Sequence, residues 1–496
     1  MVEEAKVVLQ LLNKRGFEAF YIGGKCRTDL DNLYHRSEKK MVHDVDIVTN
    51  AAPDEIKKIF PQHKEQGIAF SVVVIKFAEC SVEIATYRKD NYDMAKVKRS
   101  SKIVKPTVVV AGTLDEDRAR RDFTINTVAQ DVNGKYIDYT YSYKKKTISA
   151  MGDIDKKIIR CVGDPVIRFE EDPLRIMRMF RFMSTLSYDI EKQTLKAAVA
   201  NKKLLEKIPA ARFTYEMNKL LTGENVKATL SLMKKSGIFN IRVDGEPFLP
   251  SINNMDDEEF NILNKYNSHA SDNFVSYIEL WSLLFRHTPD EVARTELYAF
   301  FPITKLSIEK ALWVKNHFYF ITSTDLHNDI FEARTGVVKN IKQSGMRELI
   351  QHIASIHNLV NNTAESRAKA KELYDAFCEK PYFPEQLRIT GDDLVKICDK
   401  KPGKWIDDVK EHILYELINA EKFPYEYDAY MDVVSKSIRA VLGADVWFTI
   451  PEEPIEIDEY GNKVDASKVE RYRALRIYKE AEERIKQRKL ENAPEL

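Results

Sequence analysis

The sequence predicts an α+β protein in which one N-terminal domain with a small mixed sheet precedes a long all-α region. Strand-like runs are confined to the first 140 or so residues. From about residue 168 the apolar residues recur at helical spacing almost throughout. The 17 glycines and 17 prolines make up about 7% of the 496 residues, against roughly 12% in average proteins. This scarcity is typical of a mostly helical chain.

The N-terminal domain begins with a predicted amphipathic helix over residues 3–15, which Gly16 ends. Two strand-like runs, 71–77 and 82–87, are only four residues apart, as expected for an antiparallel hairpin. One small sheet is expected to contain this hairpin and the remaining strand-like runs. Those runs are 18–22, 45–48, 107–110 and 127–132.

Helices are predicted for the rest of the chain up to about residue 423, with a break expected at 381–384. Beyond Pro424 the composition changes, since 448–462 is acidic and turn-rich and 468–489 reads as a helix charged on all sides. A helix of that kind is expected to be peripheral and solvated. The clearest predicted helices are 168–186, 191–202, 210–221 and 227–235.

Composition excludes several classes of protein. Lys plus Arg and Asp plus Glu number 77 each, so a nucleic-acid partner has to be argued from local basic patches such as 96–105 and 400–404. An apolar fraction of 44% excludes general disorder, and the apolar runs are shorter than the roughly 20 residues of a membrane span. Five cysteines without a C-x-x-C pair, and an acidic N-terminal segment, indicate no zinc site, disulfide framework or signal peptide. We expect a soluble cytoplasmic protein.

The most informative short segment is the acidic strand around Asp44 and Asp46. Side chains two apart on a strand point to one face, so both carboxylates are expected together, opposite the core-facing Val45 and Ile47. Divalent cations offset the repulsion between such neighbours, and a pair of cations is the usual apparatus for in-line displacement at phosphorus. An acidic edge strand is the structural alternative. A His43-Asp44 phosphohydrolase doublet is another, but the 10 histidines form no second cluster.

Two glycines, Gly23 and Gly24, end the strand that lies about 20 residues upstream of the acidic pair. Paired glycines let backbone N–H groups approach a phosphate closely. Arg27 can add a bidentate phosphate contact. An ordinary turn is the alternative, and it is the position before the acidic strand that favours a phosphate site.

A second candidate is the run of residues 120–126, RRDFTIN. Arg120 and Arg121 are suited to phosphate, whereas Asp122 and Asn126 are suited to the hydroxyls of a ribose. A surface cluster of salt bridges would have the same composition, and the sequence alone leaves both interpretations open.

The third candidate begins at Glu171-Asp172-Pro173. Pro173 suits the first position of a helix and Asp172 its N-cap, and arginines at 175, 178 and 181 then recur along one face. A capped helix with a basic stripe is one interpretation. The other is base recognition, because an Asp that only accepts and an Arg that only donates hydrogen bonds can together select cytosine and adenine against uracil and guanine.

Taken together, these residues resemble the class II tRNA nucleotidyltransferases of the DNA polymerase β superfamily, the CCA-adding enzymes. The resemblance rests on motifs in family order over roughly residues 1–423. They are Gly-Gly-x-x-Arg at 23–27, Asp-Val-Asp at 44–46, RRDFTIN at 120–126, E-D-x-x-R-x-x-R at 171–178, a supporting helix with Arg212, Glu216 and Lys219, and the tail segments 390–394 and 401–405.

The resemblance implies a nucleotidyltransferase head at 1–150, a base-recognising neck at 151–222, a helical body at 223–340 and a tRNA-binding tail at 341–424, with 425–496 unassigned. It implies that Asp44 and Asp46 are catalytic and bind Mg²⁺. Glu83 stands where the superfamily often has a third carboxylate, with a structural role as the alternative. The implied nucleotide-binding residues are Gly23, Gly24, Arg27, Arg120, Arg121, Asp122, Asn126, Asp172, Arg175, Arg178 and Arg181.

The implied reaction is template-independent addition of CCA to the 3′ end of tRNA from CTP and ATP, with the acceptor arm held by the protein. Poly(A) polymerases of bacterial type, enzymes that add only C or only A, and inactive RNA-binding relatives share the head motifs. The tail segment 401–405 favours CCA addition. Three departures from the family pattern affect local geometry but leave the acidic pair intact. They are Thr28 in place of Asp, Thr127 in place of Ala, and a long polar stretch at 32–42.

Overall fold

The computed structural model describes two compact units, Met1–Ile308 and Glu309–Leu496. The described residues are 3–35, 44–61, 64–66, 72–77, 81–100, 102–104, 106–110, 112–243, 245–269, 277–300, 305–317, 387–420 and 427–451, with 352, 356, 368, 384, 424, 455–457 and 463–465. Most of the stretch 32–42, His43, the expected break at 381–384 except Pro384, and the predicted helix 468–489 lie outside them. Among the described residues no helix is long and apolar enough to cross a membrane.

The first unit contains a seven-stranded mixed sheet that follows helix α1 (Glu3–Lys14). Its strands are β1 (Ala19–Ile22), β2 (Asp44–Thr49), β3 (Lys64–Gln66), β4 (Val72–Lys76), β5 (Ser81–Thr86), β8 (Ala129–Gln130) and β9 (Tyr136–Ile137). Their spatial order is β3-β4-β5-β2-β1-β8-β9. All neighbours are antiparallel except β2 and β5, which are parallel. The expected α+β class is confirmed, and β4 and β5 form the predicted hairpin.

Two predicted strands behave differently from expectation. The run 107–110 is a strand, β7 (Thr107–Val110), but it pairs with β6 (Arg88–Asn91) in a separate ribbon that carries α4 (Met94–Arg99). The prediction of one sheet was therefore wrong here, because these two strands satisfy each other's hydrogen bonds. The run 127–132 shortens to β8, since the amide and hydroxyl of Thr127 both bond back to the Thr124 carbonyl, at 2.9 and 2.7 Å, and close a 3₁₀ turn first.

Helices account for most of the rest of the first unit. The predicted helix 168–186 is in fact two helices, because Asp172 is extended and Pro173 has no N–H to continue the first. The helices are α2 (Gly24–His35), α3 (Pro53–Ile59), α5 (Leu114–Ala119), α6 (Ala150–Asp155), α7 (Pro165–Glu171), α8 (Leu174–Leu186), α9 (Lys192–Ala200), α10 (Ala210–Leu221), α11 (Val226–Lys235), α12 (Asp257–His269), α13 (Tyr277–Leu284) and α14 (Asp290–Phe300), with α15 (Lys305–His317) crossing the boundary between the units.

Short elements connect these helices. Two-stranded pairs are formed by β10 (Thr140–Tyr143) with β11 (Lys146–Ser149), β12 (Ile158–Ile159) with β13 (Asp189–Ile190), and β14 (Arg242–Val243) with β15 (Glu246–Pro247). Short 3₁₀ helices cover Thr124–Asn126, Lys202–Lys207, Ile238–Asn240 and Pro250–Asn254. Helix α8 buries Ile176, Met179 and Phe180 and packs on α10, so the core of this region lies between these two helices.

The described part of the second unit has its own core. Helix α16 (Gly391–Cys398) starts with a Thr390/Asp393 capping box and is followed by α17 (Trp405–Asn419) and α18 (Tyr427–Leu442). A short pair, β16 (Ile455–Ile457) with β17 (Lys463–Asp465), follows. The buried core contains residues of all three helices, among them Leu394, Ile413 and Val434. Helix α18, which follows the expected tail boundary at 424, packs into the same core as α16 and α17.

Candidate active site

The acidic pair lies on β2 as the alternation predicts. Val45 and Ile47 are buried, Asp46 is half-buried, and the exposed Asp44 accepts a hydrogen bond from the Ser81 hydroxyl at 2.6 Å. The parallel pairing of β2 with β5 sets Glu83 opposite Asp46, so both point to one face of the sheet. Burial raises the pKa of Asp46 and of Glu83, and the neighbouring carboxylates raise both further. Three carboxylates thus act on one another here.

Asp44 and Asp46 fit a divalent cation whose remaining ligands come from the substrate. Among the described residues, no three acidic, histidine or cysteine side chains form a ready-made metal cage. Mg²⁺ is usually held by one or two carboxylates together with substrate phosphates and water, which is the donor set that Asp44 and Asp46 provide. A Cβ added at Gly23 would lie 2.8 Å from Oδ2 of Asp46, so the glycine keeps the space beside this carboxylate open.

The glycine pair forms the turn from β1 into α2. Gly23 has a φ of +76°, which favours glycine, and α2 begins at Gly24, so the N-terminal end of a helix faces this region. One turn later the Arg27 guanidinium donates to the Asn126 side chain and lies 5.2 Å from the Phe182 ring. Burial lowers the pKa of Arg27. Among the described ion pairs it has no carboxylate partner, which leaves its charge available to an anion.

Arg120 and Arg121 are held by one carboxylate that the sequence reasoning missed. Asp117 is fully buried and lies within 2.6 Å of Arg120 and 3.0 Å of Arg121. Although burial opposes its ionisation, the two guanidinium groups lower the pKa of Asp117. The sequence offers a hint, since Asp117 precedes the arginines by three and four residues. It could not show which of the acids at 115–117 faces inward.

Asp122 links the head to helix α8. Its carboxylate accepts from the Phe123 amide at 2.8 Å, from the Asn126 amide group at 2.9 Å, and from Arg178 at 2.7 and 2.8 Å. Burial opposes ionisation, but Arg178 and the other donors hold the pKa of Asp122 well below its usual range. The side-chain amide of Asn126 bonds to Asp122 and Arg27. The two residues predicted to bind sugar hydroxyls therefore also join neighbouring parts of the site.

The start of α8 carries the predicted base-reading pair. The Asp172 carboxylate accepts from the Leu174 amide at 3.1 Å, so it caps the helix, although the helix begins one residue later than predicted. Arg175 donates to Glu171 at 2.9 Å, to the Arg168 carbonyl at 3.1 Å and to the Arg120 carbonyl at 3.0 Å. Among the contacts of the described residues, three of its five N–H groups have acceptors, so two can serve a ligand.

The other two arginines of α8 turn to α10. Glu216, 2% exposed, lies 3.6 Å from Arg178 and 3.0 Å from Arg181. Arg212, one turn earlier on α10, lies 3.7 Å from Asp172. The supporting helix expected from the resemblance therefore makes contact through two of its three residues, whereas Lys219 lies over the Tyr215 ring.

Six of the predicted residues line a cavity of about 930 Å³ within the first unit. Eight cationic side chains line it against four acidic ones. Its described lining residues include six predicted ones, Arg120, Arg121, Asp122, Asp172, Arg175 and Arg178, and eleven others, Arg88, Asp90, Tyr92, Lys102, Ile103, Val104, Pro106, Glu171, Lys207, Pro209 and Arg212. The predicted residues outside this lining are Gly23, Gly24, Arg27, Asp44, Asp46, Asn126 and Arg181.

The acidic pair is electrostatically coupled to this cavity. Arg121 and Arg178 line it, and their charges act on Asp46, lowering a pKa that burial raises. The basic segment 96–105, predicted as a loop, contributes Lys102, Ile103 and Val104 to the lining, but its first part is the helix α4. The arrangement suits an anion with three phosphates, a sugar and a base between the arginines and α8.

Two family descriptions match parts of the chain. The Poly A polymerase head domain matches residues 19–160, and the probable RNA- and SrmB-binding site of polymerase A matches 187–249. The CCA-adding enzyme of Listeria innocua is 30% identical over 428 residues, which cover 84% of this chain and 95% of that protein. The CCA-adding enzyme of Bacillus subtilis is 28% identical over 417 residues, 82% of this chain and 91% of that protein.

Solved structures share the fold. A crystal structure of the Bacillus stearothermophilus CCA-adding enzyme in complex with CTP superposes with a TM-score of 0.65 at 23% identity, over 88% of this chain and 98% of that one. A CCA-adding enzyme in complex with ATP superposes with a TM-score of 0.53 at 18% identity, over 88% and 95% of the two chains.

Proposed function

The chain belongs to the CCA-adding enzyme family, and from this premise we propose that it adds C, C and A to the 3′ end of tRNA from CTP and ATP, without a template and with release of pyrophosphate. The observation that carries the proposal is the cavity in which the arginine pair of the head meets Asp172 and Arg175 of α8. Eight cationic and four acidic side chains line it, and this excess of positive charge suits a nucleoside triphosphate.

Metal ions belong to the chemistry of this family, and we propose Mg²⁺ as the ion used here. Asp44 and Asp46 would hold a pair of these ions. One ion would supply activation of the attacking 3′-hydroxyl, and the second would supply stabilisation of the charge on the leaving pyrophosphate. Glu83 is proposed as an additional carboxylate of the same group, on the strength of its register opposite Asp46.

The protein's own residues bind and orient the nucleotide. Arg120 and Arg121, fixed by Asp117, bind the triphosphate, and Arg27 adds a charge with no described carboxylate partner. Gly23 and Gly24 keep the backbone close to the phosphates, while Asp122 and Asn126 bind near the sugar. These groups hold the α-phosphorus in line with the RNA terminus, which is the larger part of catalysis in phosphoryl transfer.

Base selection is assigned to Asp172 and Arg175. Cytosine and adenine each present an amino donor beside a ring-nitrogen acceptor, which matches an acceptor carboxylate and a donor guanidinium. Arg178 and Arg181 support the pair from the next turns of the helix. Uracil and guanine present the reverse pattern and are rejected.

Domain roles follow the same proposal, with the head at 1–150 for chemistry, the neck at 151–222 for base recognition, and the body at 223–340 and tail at 341–424 for the tRNA acceptor arm. The exposed basic stretch 400–404 is the proposed tail contact with RNA. The logarithm of the RNA-binding constant should then fall linearly with the logarithm of salt concentration. We also propose a cytoplasmic location, which cell fractionation tests.

The decisive experiment is to incubate tRNA that lacks its CCA end with labelled CTP and ATP. Addition that stops after CCA is expected. One pyrophosphate should be released for each nucleotide added. Long A tracts would identify a poly(A) polymerase instead, and addition of C alone or A alone would identify a partial enzyme. RNA binding without pyrophosphate release would identify an inactive relative. The Asp44→Ala variant, which should retain the fold and lose incorporation, is the control for contaminating activity.

A further inference from the structure

Tyr92 is a cavity residue with no role in the mechanism so far. It is the one aromatic side chain among the described residues that line the cavity. Its ring is half-buried. The other lining groups are charged or aliphatic, so they can bind phosphates and hydrogen-bonding edges but offer no flat apolar surface. Among the described lining residues, the cavity therefore contains a single aromatic surface on which a nucleobase can stack.

The chain around Tyr92 is fixed on both sides. It directly follows β6, which is paired along its length with β7. It directly precedes Asp93, which caps α4 by accepting from the Lys96 amide at 3.0 Å. Helix α4 is in turn attached to the neck, because Val97 is buried and its carbonyl accepts from Lys207 at 3.0 Å. These contacts hold the backbone that carries the ring.

Tyr92 lines the same cavity as the proposed base-reading pair, Asp172 and Arg175. Burial raises the pKa of Tyr92 to about 12, and the charges of Arg175, Asp172, Asp90 and Glu171 all act on its phenol. The side chain is therefore neutral at physiological pH. Because all three side chains line one cavity, a base whose edge meets Asp172 and Arg175 can present its face to the Tyr92 ring.

We propose that Tyr92 is the stacking platform for the incoming base, and thus a determinant of affinity that acts on the face of the base while Asp172 and Arg175 act on its edge. This inference rests on the proposed function. Stacking is tolerant of base identity because every base has a π-face. The two rings of adenine bury more area than the single ring of cytosine, so Tyr92 contributes more to ATP binding than to CTP binding.

The test is the affinity of the full-length protein for ATP and CTP, measured by titration calorimetry without tRNA. Tyr92→Ala is expected to weaken ATP binding about tenfold or more, within the range of base–aromatic stacking, and CTP binding by a smaller factor. Tyr92→Phe keeps the ring and should bind both nucleotides like the wild type. Tyr92→Leu keeps apolar bulk without a π-face and should fall between the two.

Single-turnover extension gives a second readout. With Tyr92→Ala, tRNA ending in CC should accumulate at limiting ATP, since the last addition suffers most. Tyr277→Ala is the matched control, because Tyr277 is 42% exposed at the start of α13 and is not among the cavity-lining residues. Circular dichroism and melting temperature confirm that each variant is folded.

Three outcomes would overturn the inference. Unchanged ATP affinity in folded Tyr92→Ala excludes a stacking role. Equal losses in Tyr92→Phe and Tyr92→Ala would assign the effect to the hydroxyl. A raised KM for tRNA with unchanged nucleotide affinity would place the RNA terminus, not the incoming base, against the ring. A wild-type protein that binds neither nucleotide nor extends tRNA would instead refute the proposed function, so the two failures are distinguishable.

Discussion

At the scale of single residues, Asp46 combines a catalytic assignment with an unfavourable position. Burial and the charge of Asp44 raise its pKa in the folded protein. A group whose folded pKa is raised stabilises the fold below its unfolded pKa, and that contribution is lost as pH rises through the folded value. Above its raised pKa, the ionised Asp46 side chain of the metal-free protein therefore favours unfolding.

We expect Asp46→Asn to abolish nucleotide incorporation and yet to raise the melting temperature of metal-free protein at neutral pH, by about 2 °C. The gain should shrink as pH falls through the raised pKa of Asp46, because the wild-type carboxyl is protonated below it. Thermal melts in EDTA over a series of pH values measure it. Asp44→Asn is the control, since exposed Asp44 gives up a hydrogen bond from Ser81 and should show no gain. A variant of Asp46 that melts no higher than the wild type would contradict the argument.

The pKa of Asp117 is shifted in the opposite direction from that of Asp46. Arg121 and Arg120 lower its pKa against the effect of burial, so its stabilisation is present above the ordinary carboxyl pKa and is lost as pH falls through the folded value. Asp117→Asn leaves two guanidinium groups without their partner, which should cost about 3 kcal/mol in the free energy of unfolding. The KM for nucleotide should rise about tenfold.

Urea denaturation and steady-state kinetics measure these two effects. Glu116→Gln on the same helix is the matched control, because Glu116 pairs at 4.0 Å with Lys89 and both side chains are exposed, so the pair contributes little. If the two variants proved equally stable, Asp117 would not be the residue that holds the arginines.

Base selection gives a further prediction at this scale. Asp172→Asn keeps an oxygen that can cap the Leu174 amide but adds an N–H₂ group able to donate to a carbonyl. UTP and GTP should then be incorporated, while CTP and ATP incorporation falls. Competition among the four labelled nucleotides measures the change, and an unaltered preference would remove Asp172 from the base-reading role.

At the scale of elements, the local sequence pattern predicted the features that depend on the alternation and spacing of apolar residues. The β4–β5 hairpin, the orientation of Val45 against Asp44 and Asp46, and α10 with its bounds followed from the sequence. The pairing partners of the strands did not follow from the sequence, because the choice of partner depends on long-range contacts. The run 107–110 has the composition of a sheet strand, and only its partner β6 shows that it belongs to a separate ribbon over the cavity.

The packing of α10 on α8 makes a prediction of its own. Glu216 is buried between Arg178 and Arg181, so Glu216→Gln removes the only charge that α10 offers them among the described contacts. We expect kcat/KM to fall about tenfold or more with either nucleotide, because small displacements of binding groups are costly.

Steady-state kinetics with ATP and with CTP measure the loss. Glu224→Gln, at an exposed position just after α10, should leave kcat/KM unchanged. Equal kinetics in the two variants would show that α10 does not position the arginines.

At the scale of the whole molecule, composition and charge predicted the class but not the boundaries. The change in composition after Pro424 is real, yet α18 buries Tyr430, Val434 and Ile438 in the same core as α16 and α17. An amphipathic helix that completes a core has the same pattern as one that lies on a surface. The predicted helices ended at about residue 423, so both the presence of α18 and its place in this core come from the structure.

Truncation tests this boundary. A chain that ends at residue 424 loses several buried side chains, each contributing about 1.5–3 kcal/mol, and its tail should be degraded rapidly by protease. A chain that ends at residue 451 keeps α18 and should resist like the full-length protein. Limited proteolysis with mass spectrometry distinguishes them, and equal resistance of the two chains would place α18 outside the tail core.

The link between Asp122 and Arg178 has a consequence for ligand size. Because the Asp122 carboxylate ties the segment after Arg120 and Arg121 to helix α8 through Arg178, the proposed triphosphate and base sites are held at a fixed separation before any substrate binds. Analogues with a lengthened connection between sugar and base should consequently be excluded even when their hydrogen-bonding edge is that of adenine or cytosine. The enzyme would then select a nucleotide by its length as well as by its pattern of hydrogen-bond donors and acceptors.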